Sequence, residues 1–115
     1  MDQTAAKTIE ALGALAQEHR LALFRLLVQA GEAGMAAGAI ASALHVPASS
    51  LSFHLALMER AGIIRRLRRG RSLIYSADYD AMNVLVGYLM EKCCAGDVNC
   101  AGASTCSTLE ERHVA

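Results

Sequence analysis

At Gly62 the chain changes character. Upstream, SSLSFHLALMERAG reads as a helix; downstream, IIRRLRRGRSLIYSA places Ile63, Ile64, Leu67, Leu73, Ile74 and Tyr75 on either side of a turn at Gly70. That pattern predicts a two-stranded hairpin. It carries an unusual charge load, since Arg60, Arg65, Arg66, Arg68, Arg69 and Arg71 fall in one short stretch with no acid among them. Over all 115 residues, 11 basic and 11 acidic side chains cancel to a formal charge of zero. The neutral total therefore hides a strongly basic patch at the tip of a hairpin.

Ahead of the hairpin, apolar residues recur at helical spacing. Ile9, Leu12 and Leu15 mark a first helix; Leu21, Phe24, Leu27 and Val28 mark a second, ending near Gly31 and Gly34. Ala37, Ile40, Ala41 and Leu44 suggest a short third helix, and Pro47, the single proline, can open a fourth at its first turn. A last helix is expected from Asp78 to Cys93, with Met82, Leu85, Val86, Leu89 and Met90 on one side. Residues 1–94 thus read as one small domain. Residues 95–115, rich in Gly, Ala, Ser and Thr and without a sustained period, read as a flexible cysteine-containing tail. The N-terminus MDQTAAKTIEALGAL lacks the basic start and continuous apolar run of a signal peptide, and no stretch approaches ~18 consecutive apolar residues. A soluble cytoplasmic protein with reduced thiols is the expectation.

Two short helices joined by a tight turn, the second polar at its start, followed by a basic hairpin, form the outline of a winged helix-turn-helix: mainly α, with a β-hairpin wing. A helix fits the B-DNA major groove with its N-terminal side chains against base edges. Ser49, Ser50, Ser52, Phe53 and His54 occupy those positions, while Leu51, Leu55 and Met58 fall opposite and should hold the helix to the core. Arg66, Arg68, Arg69 and Arg71 can meet phosphates, although some wing arginines should pair with Glu59 or water instead. Serine-rich helix starts also serve as caps, and arginine runs also form solvated faces; the order of the features is more specific than either. His54 is open to two readings, a DNA contact or a side chain satisfying a neighbour. Phe53 either packs or touches a thymine methyl.

All four cysteines lie in the last quarter of the chain, three of them in CCAGDVNC as Cys93, Cys94 and Cys100. Thiols gathered in this way suggest a thiophilic sensor. A tetrahedral zinc or cadmium site is a competitor, but the spacing matches no CxxC knuckle. A thiol-redox switch is another. A small thiol reductase would need an activated cysteine, whereas these thiols follow a helix C-terminus, whose dipole raises a thiol pKa. His113 is the only tail histidine, and the sequence shows neither a phosphate-cradling glycine loop nor a Ser-His-acid order. The chain reads as a non-enzyme with no organic cofactor.

The stretch IASALHVPASSLSFHLALMERAGIIRRLRRGRSLIYSA resembles the DNA-binding core of the ArsR/SmtB metalloregulatory repressors, and ALAQEHRLALFRLL resembles that family's second helix. The likeness covers residues 8 to 92. It implies a homodimer joined through the first and last helices, binding to double-stranded operator DNA without inducer, and release when a metal or metalloid binds. The cysteine pair that many members carry before the recognition helix is absent from GMAAGAIASAL. The last helix offers Asp78, Asp80 and Glu91 but no histidine for the family's other zinc site. Cys93, Cys94 and Cys100 resemble a different, arsenic-responsive branch, whose site lies at the end of the last helix; Cys106 falls outside that pattern. Thiol chemistry favours the same reading, because trivalent arsenic and antimony are soft and take three thiolates. Adjacent cysteines on a helix point about 100° apart, so the last turn must loosen for both to share an ion. The implied inducer is As(III), or Sb(III), with no membrane partner.

Overall fold

The computed structural model describes residues 3–91. Expectations on Cys93, Cys94 and Cys100, the boundary at residue 94 and the tail 95–115 lie outside the described residues. The elements run α1 (Gln3–Leu15), α2 (Glu18–Ala30), β1 (Met35–Ala36), α3 (Ala37–Leu44), α4 (Ala48–Arg60), β2 (Ile64–Arg69), β3 (Ser72–Ala77) and α5 (Tyr79–Leu89). Five helices and an antiparallel hairpin make the expected winged helix-turn-helix. Among the described residues no single helix is long and apolar enough to cross a membrane.

One hydrophobic core joins all five helices to the base of the sheet. Leu23, Phe24 and Leu27 of α2, Ile40 of α3, Leu51, Leu55 and Met58 of α4, Ile63, Ile64, Tyr75 and Ala77 around the hairpin, and Leu85 of α5 are all buried in it. The α2 helix ends at Gly31, and α5 is capped by the Asp78 carboxylate, which accepts from the Ala81 N–H at 3.0 Å.

Several expectations need correction. The wing is part of a three-stranded sheet in the order β1-β3-β2, with Met35 opposite Tyr75 and Ala36 opposite Ile74. Pro47 sits one residue ahead of α4 as its N-cap, with its carbonyl accepting from the Leu51 N–H at 2.9 Å. In α1 the buried face is Thr8, Ala11 and Ala14, while Ile9 (57 % exposed) and Leu12 (43 %) point outward. Small side chains let α1 approach its neighbours closely, and the large ones are left for another surface. On α2, Leu21 and Val28 are likewise exposed. On α5, only Leu85 of the expected stripe is buried and Met82 is partly so; Val86, Leu89 and Met90 are exposed. That helix ends at Leu89, short of Cys93. Met90 leaves helical geometry, and the Glu91 N–H closes a three-residue turn onto the Tyr88 carbonyl at 3.2 Å.

Two backbone positions control the fold locally. Gly34 has φ +71°, and a Cβ there would run into the Tyr75 carbonyl oxygen and come within 2.9 Å of Ile74 Cγ2. Only glycine lets β1 pair with β3 from this turn. His45, at the bend between α3 and α4, has φ 55° and ψ 44°, a left-handed conformation unfavourable for a residue bearing a Cβ. The two positions predict opposite outcomes in denaturant unfolding. Gly34→Ala should destabilise by about 2–4 kcal/mol, combining left-handed strain and overpacking. His45→Gly should stabilise by about 0.5–1 kcal/mol, the relieved strain outweighing glycine's entropic cost.

Candidate nucleic-acid interface

The chain turns through 113° between α3 and α4, within the range of helix-turn-helix pairs. His45 makes the bend; the Val46 N–H then bonds the Ala41 carbonyl at 3.1 Å, and Val46 is buried. Burial of Leu51, Leu55 and Met58, at 3 %, 3 % and 0 % exposure, fixes the rotation of α4 about its axis. At about 100° per residue, Ser49 and Phe53 lie opposite that buried face, Ser50 and Ser52 lie on its two flanks, and His54 is nearest the core. The burial agrees: Ser49, Ser50, Ser52 and Phe53 are exposed and His54 is half-buried. Phe53, at 62 % exposure, does not pack into the core. With no acid in its first turn, α4 presents an uncompensated positive dipole end beside these side chains.

His54 joins a small cluster. Its ring stacks on His19 of α2, with centroids 5.8 Å apart and planes at 28°, and meets the Phe53 ring edge-on. The Gln17 amide lies 3.2 Å from His19 Nδ1, and Arg20 donates from Nε to the Ala14 carbonyl at 2.6 Å. His54 Nδ1 is buried with no hydrogen-bond partner among the described residues. Burial lowers the His54 pKa, and the charges of Arg20 and His19 lower it further. His19 and Arg20 carried no local signal in the sequence, because β1 and α3 separate them from α4 along the chain.

In the wing, residues opposite one another share a face. Ile64, Arg66 and Arg68 pair with Ala77, Tyr75 and Leu73, so Arg66 and Arg68 lie on the side that holds the buried Tyr75 and Ala77. Arg65, Leu67 and Arg69 pair with Ser76, Ile74 and Ser72 on the other side. The four candidate arginines are therefore split. Arg66 and Arg68 share one face, Arg69 shares the other with Arg65, and Arg71 sits in the turn. Gly70, at φ +61° in the first central position, has the sign that a two-residue type II′ hairpin demands. Arg66 Nε lies 3.5 Å from Glu59 Oε2, tying the wing to the last turn of α4, as expected for some of these arginines. Arg65, Arg68, Arg69 and Arg71 are exposed. Among the described residues no three His, Cys, Asp or Glu side chains gather closely enough to hold a metal ion.

This arrangement has counterparts among known proteins. Residues 15–66, from the end of α1 into the wing, match a family described as a helix-turn-helix domain. NolR from Sinorhizobium fredii is 31 % identical, with 76 % of this chain and 84 % of that one aligned and a TM-score of 0.59. The chain carries a winged helix-turn-helix domain, and its neighbours among solved structures include ArsR-family and HlyU regulators. HlyU from Vibrio cholerae N16961 is 25 % identical, over 82 % of this chain and 99 % of its own, with a TM-score of 0.63. The homodimeric winged helix-turn-helix DNA-binding domain of Mb0332 from Mycobacterium bovis, a possible ArsR-family transcriptional regulator, is 26 % identical over 80 % and 88 %, also with a TM-score of 0.63. No curated protein matches the sequence. This ArsR-like chain is a DNA-binding transcriptional regulator.

The histidine cluster makes the stability of this regulator depend on pH. Because the folded His54 pKa lies below its ordinary 6.5, the unfolded chain takes up the proton first as pH falls, and stability declines below that value until the folded pKa is passed. Denaturant unfolding at pH 7.5 and pH 5 should show an acid-side loss in the wild type that is smaller in His54→Gln. Parallel losses in the two proteins would contradict the assignment.

Proposed function

We propose that the protein is a homodimeric transcriptional repressor whose operator complex is released by trivalent arsenic, or antimony, held by Cys93, Cys94 and Cys100. The observation that carries the sensing part is the thiol run itself: three cysteines within eight positions, just beyond the last helix of a DNA-binding fold. The donor set suits the ion, since soft thiolates select soft metalloids and trivalent arsenic takes three ligands. The α5 helix ends at Leu89, ahead of the cysteines.

DNA contact is assigned to the exposed side of α4 and to the wing. Ser49, Ser50 and Ser52 offer hydroxyls to base edges, Phe53 offers an apolar ring to a thymine methyl, and His54 orients Phe53 from the half-buried flank. Arg68, Arg69 and Arg71 meet phosphates directly; Arg66 does so from its pairing with Glu59. The dimer reading is supported by an apolar surface left over after the fold is complete: Ile9 and Leu12 on α1, with Val86, Leu89 and Met90 on α5. The Mb0332 domain, similar in fold and sequence, is homodimeric. Burying such side chains is worth about 1.5–3 kcal/mol each, so Ile9→Glu combined with Leu89→Glu should give monomers in analytical ultracentrifugation.

Operator binding followed by fluorescence anisotropy tests the rest. Arg68→Ala and Arg71→Ala should each lower the slope of log affinity against log salt by about 0.9 per lost phosphate contact. Arsenite should release the DNA from wild type, and Cys93→Ser, Cys94→Ser and Cys100→Ser should each abolish release. An intact complex in arsenite, or a normal response from Cys100→Ser, removes the metalloid assignment. Release by zinc, cadmium or peroxide in the absence of arsenite would replace it with a different inducer.

A further inference from the structure

The stack of His19 on His54 places one residue of α2 directly beside the recognition helix. At about 100° per residue, Ser50 and His54 lie on the same flank of α4, and Ser52 lies on the other. Phe53, which is exposed, meets the His54 ring edge-on, so His19 is continuous with the surface assigned to DNA. His19 is itself exposed, while Gln17 and Arg20 beside it are half-buried.

Groove dimensions decide what passes this point. A helix with its side chains is ~10–12 Å across and the B-DNA major groove is ~12 Å wide, so a helix seated there fills the groove and turns its flanks to the two sugar-phosphate walls. A side chain laid against one flank by a neighbouring helix therefore meets backbone and not base edges.

Hydrogen bonding prepares His19 for that contact. Gln17 Oε1 accepts from the Arg20 N–H at 3.0 Å, which leaves the amide nitrogen, a donor, 3.2 Å from His19 Nδ1. Nδ1 then accepts, and the neutral ring carries its proton on Nε2, a donor that Gln17 does not use. Arg20 is held by donation from Nε to the Ala14 carbonyl at 2.6 Å, and its charge is close enough to act on His54. Glu18, the one acid in the first turn of α2, lies about 100° around that helix from His19.

We propose that His19 donates from Nε2 to one backbone phosphate on the wall of the major groove, with Gln17 fixing the tautomer and His54 backing the ring. The start of α2 thereby joins α4 and the wing as a third element gripping the duplex. The inference rests on the assignment of the outer side of α4 to DNA and is independent of the arsenic reading. Such a contact carries no sequence information; it sets the seating of α4 in the groove.

Fluorescence anisotropy of the full-length protein tests this, with the duplex that wild type enriches from a randomised library as the probe. His19→Phe keeps an aromatic ring against His54 and removes the N–H. It should weaken binding roughly tenfold, the scale of one hydrogen bond to a charged group, and by the same factor on single-base variants of that duplex. Replacing the phosphates of the groove wall one at a time by methylphosphonates should find a position in each half-site where wild type loses affinity and His19→Phe loses no more. A packing role through His54 would single out no phosphate. Undiminished affinity of His19→Phe, or the absence of a coupled phosphate, overturns the inference; if Arg68→Ala is still weakened, the DNA assignment itself stands. His19→Phe should also remain dimeric in analytical ultracentrifugation, and conversion to monomers would give His19 to the subunit interface and overturn the phosphate contact.

Discussion

Packing of Leu51, Leu55 and Met58 into the core is the constraint from which the functional surface follows. A helix is rotationally free until one face is buried, and a rotation of one residue, about 100°, would turn Phe53 away from its outward position. Each of these three side chains is worth about 2–5 kcal/mol against truncation to alanine. The orientation of α4 is therefore held by several kcal/mol of core packing. Ser49 and Phe53 need no packing of their own to be well aimed. They are carried by a helix whose back is fixed by α2, α3 and the base of the sheet. His54 lies closest to that back and bears the consequence, a ring nitrogen removed from water beside His19 and Arg20.

Much of the fold was legible where a local period or a turn residue reports it. The α4 helix was readable from Leu51, Leu55 and Met58, and the hairpin from Gly70 between two apolar runs. The errors share a cause. Two residues, Met35 and Ala36, cannot display a strand period, and their pairing exists because Gly34 allows the chain to approach Tyr75. In α1 the period located the helix correctly, but its large residues Ile9 and Leu12 face out, whereas Thr8, Ala11 and Ala14 are buried. Periodicity identifies a face without saying what that face will meet. The His19–His54 stack joins residues 35 positions apart and had no sequence signature. The end of α5 was equally hidden, because no glycine or proline follows before Gly96.

Sheet alternation also changes how the basic run is used. Six arginines in sequence suggest a single patch, but a strand sends neighbours to opposite sides. Arg66 and Arg68 thereby share the face of the buried Tyr75, and Arg65 and Arg69 take the other. The Arg66–Glu59 pair, partly exposed on both sides, is worth at most about 1 kcal/mol. Its significance is positional, since it links the base of the wing to the end of the recognition helix. The two elements assigned to DNA are thus joined at the base of the wing as well as through the chain at Ala61–Ile63.

The anchoring of α5 suggests where a displacement of these two elements starts. Its N-terminal end is tied three times: Asp78 caps Ala81, the Asp78 N–H bonds the Ile63 carbonyl at 2.9 Å, and the Tyr79 hydroxyl donates to the Val28 carbonyl at 3.0 Å. Those ties reach the α4–β2 corner and the end of α2, the two segments that frame the helix-turn-helix. At the other end, among the described residues, Val86, Leu89 and Met90 are exposed. A helix held at one end and open at the other transmits force toward the held end. Under the proposed reading, metalloid capture by cysteines beyond Leu89 acts on the open end, where the assigned dimer surface also lies. The resulting shift would be delivered through Asp78 and Ile63 to the segment that sets the angle between recognition helix and wing. Because both subunits contribute such a helix, a small rotation in each would change the separation of two recognition helices, and half-site spacing on DNA tolerates little such change.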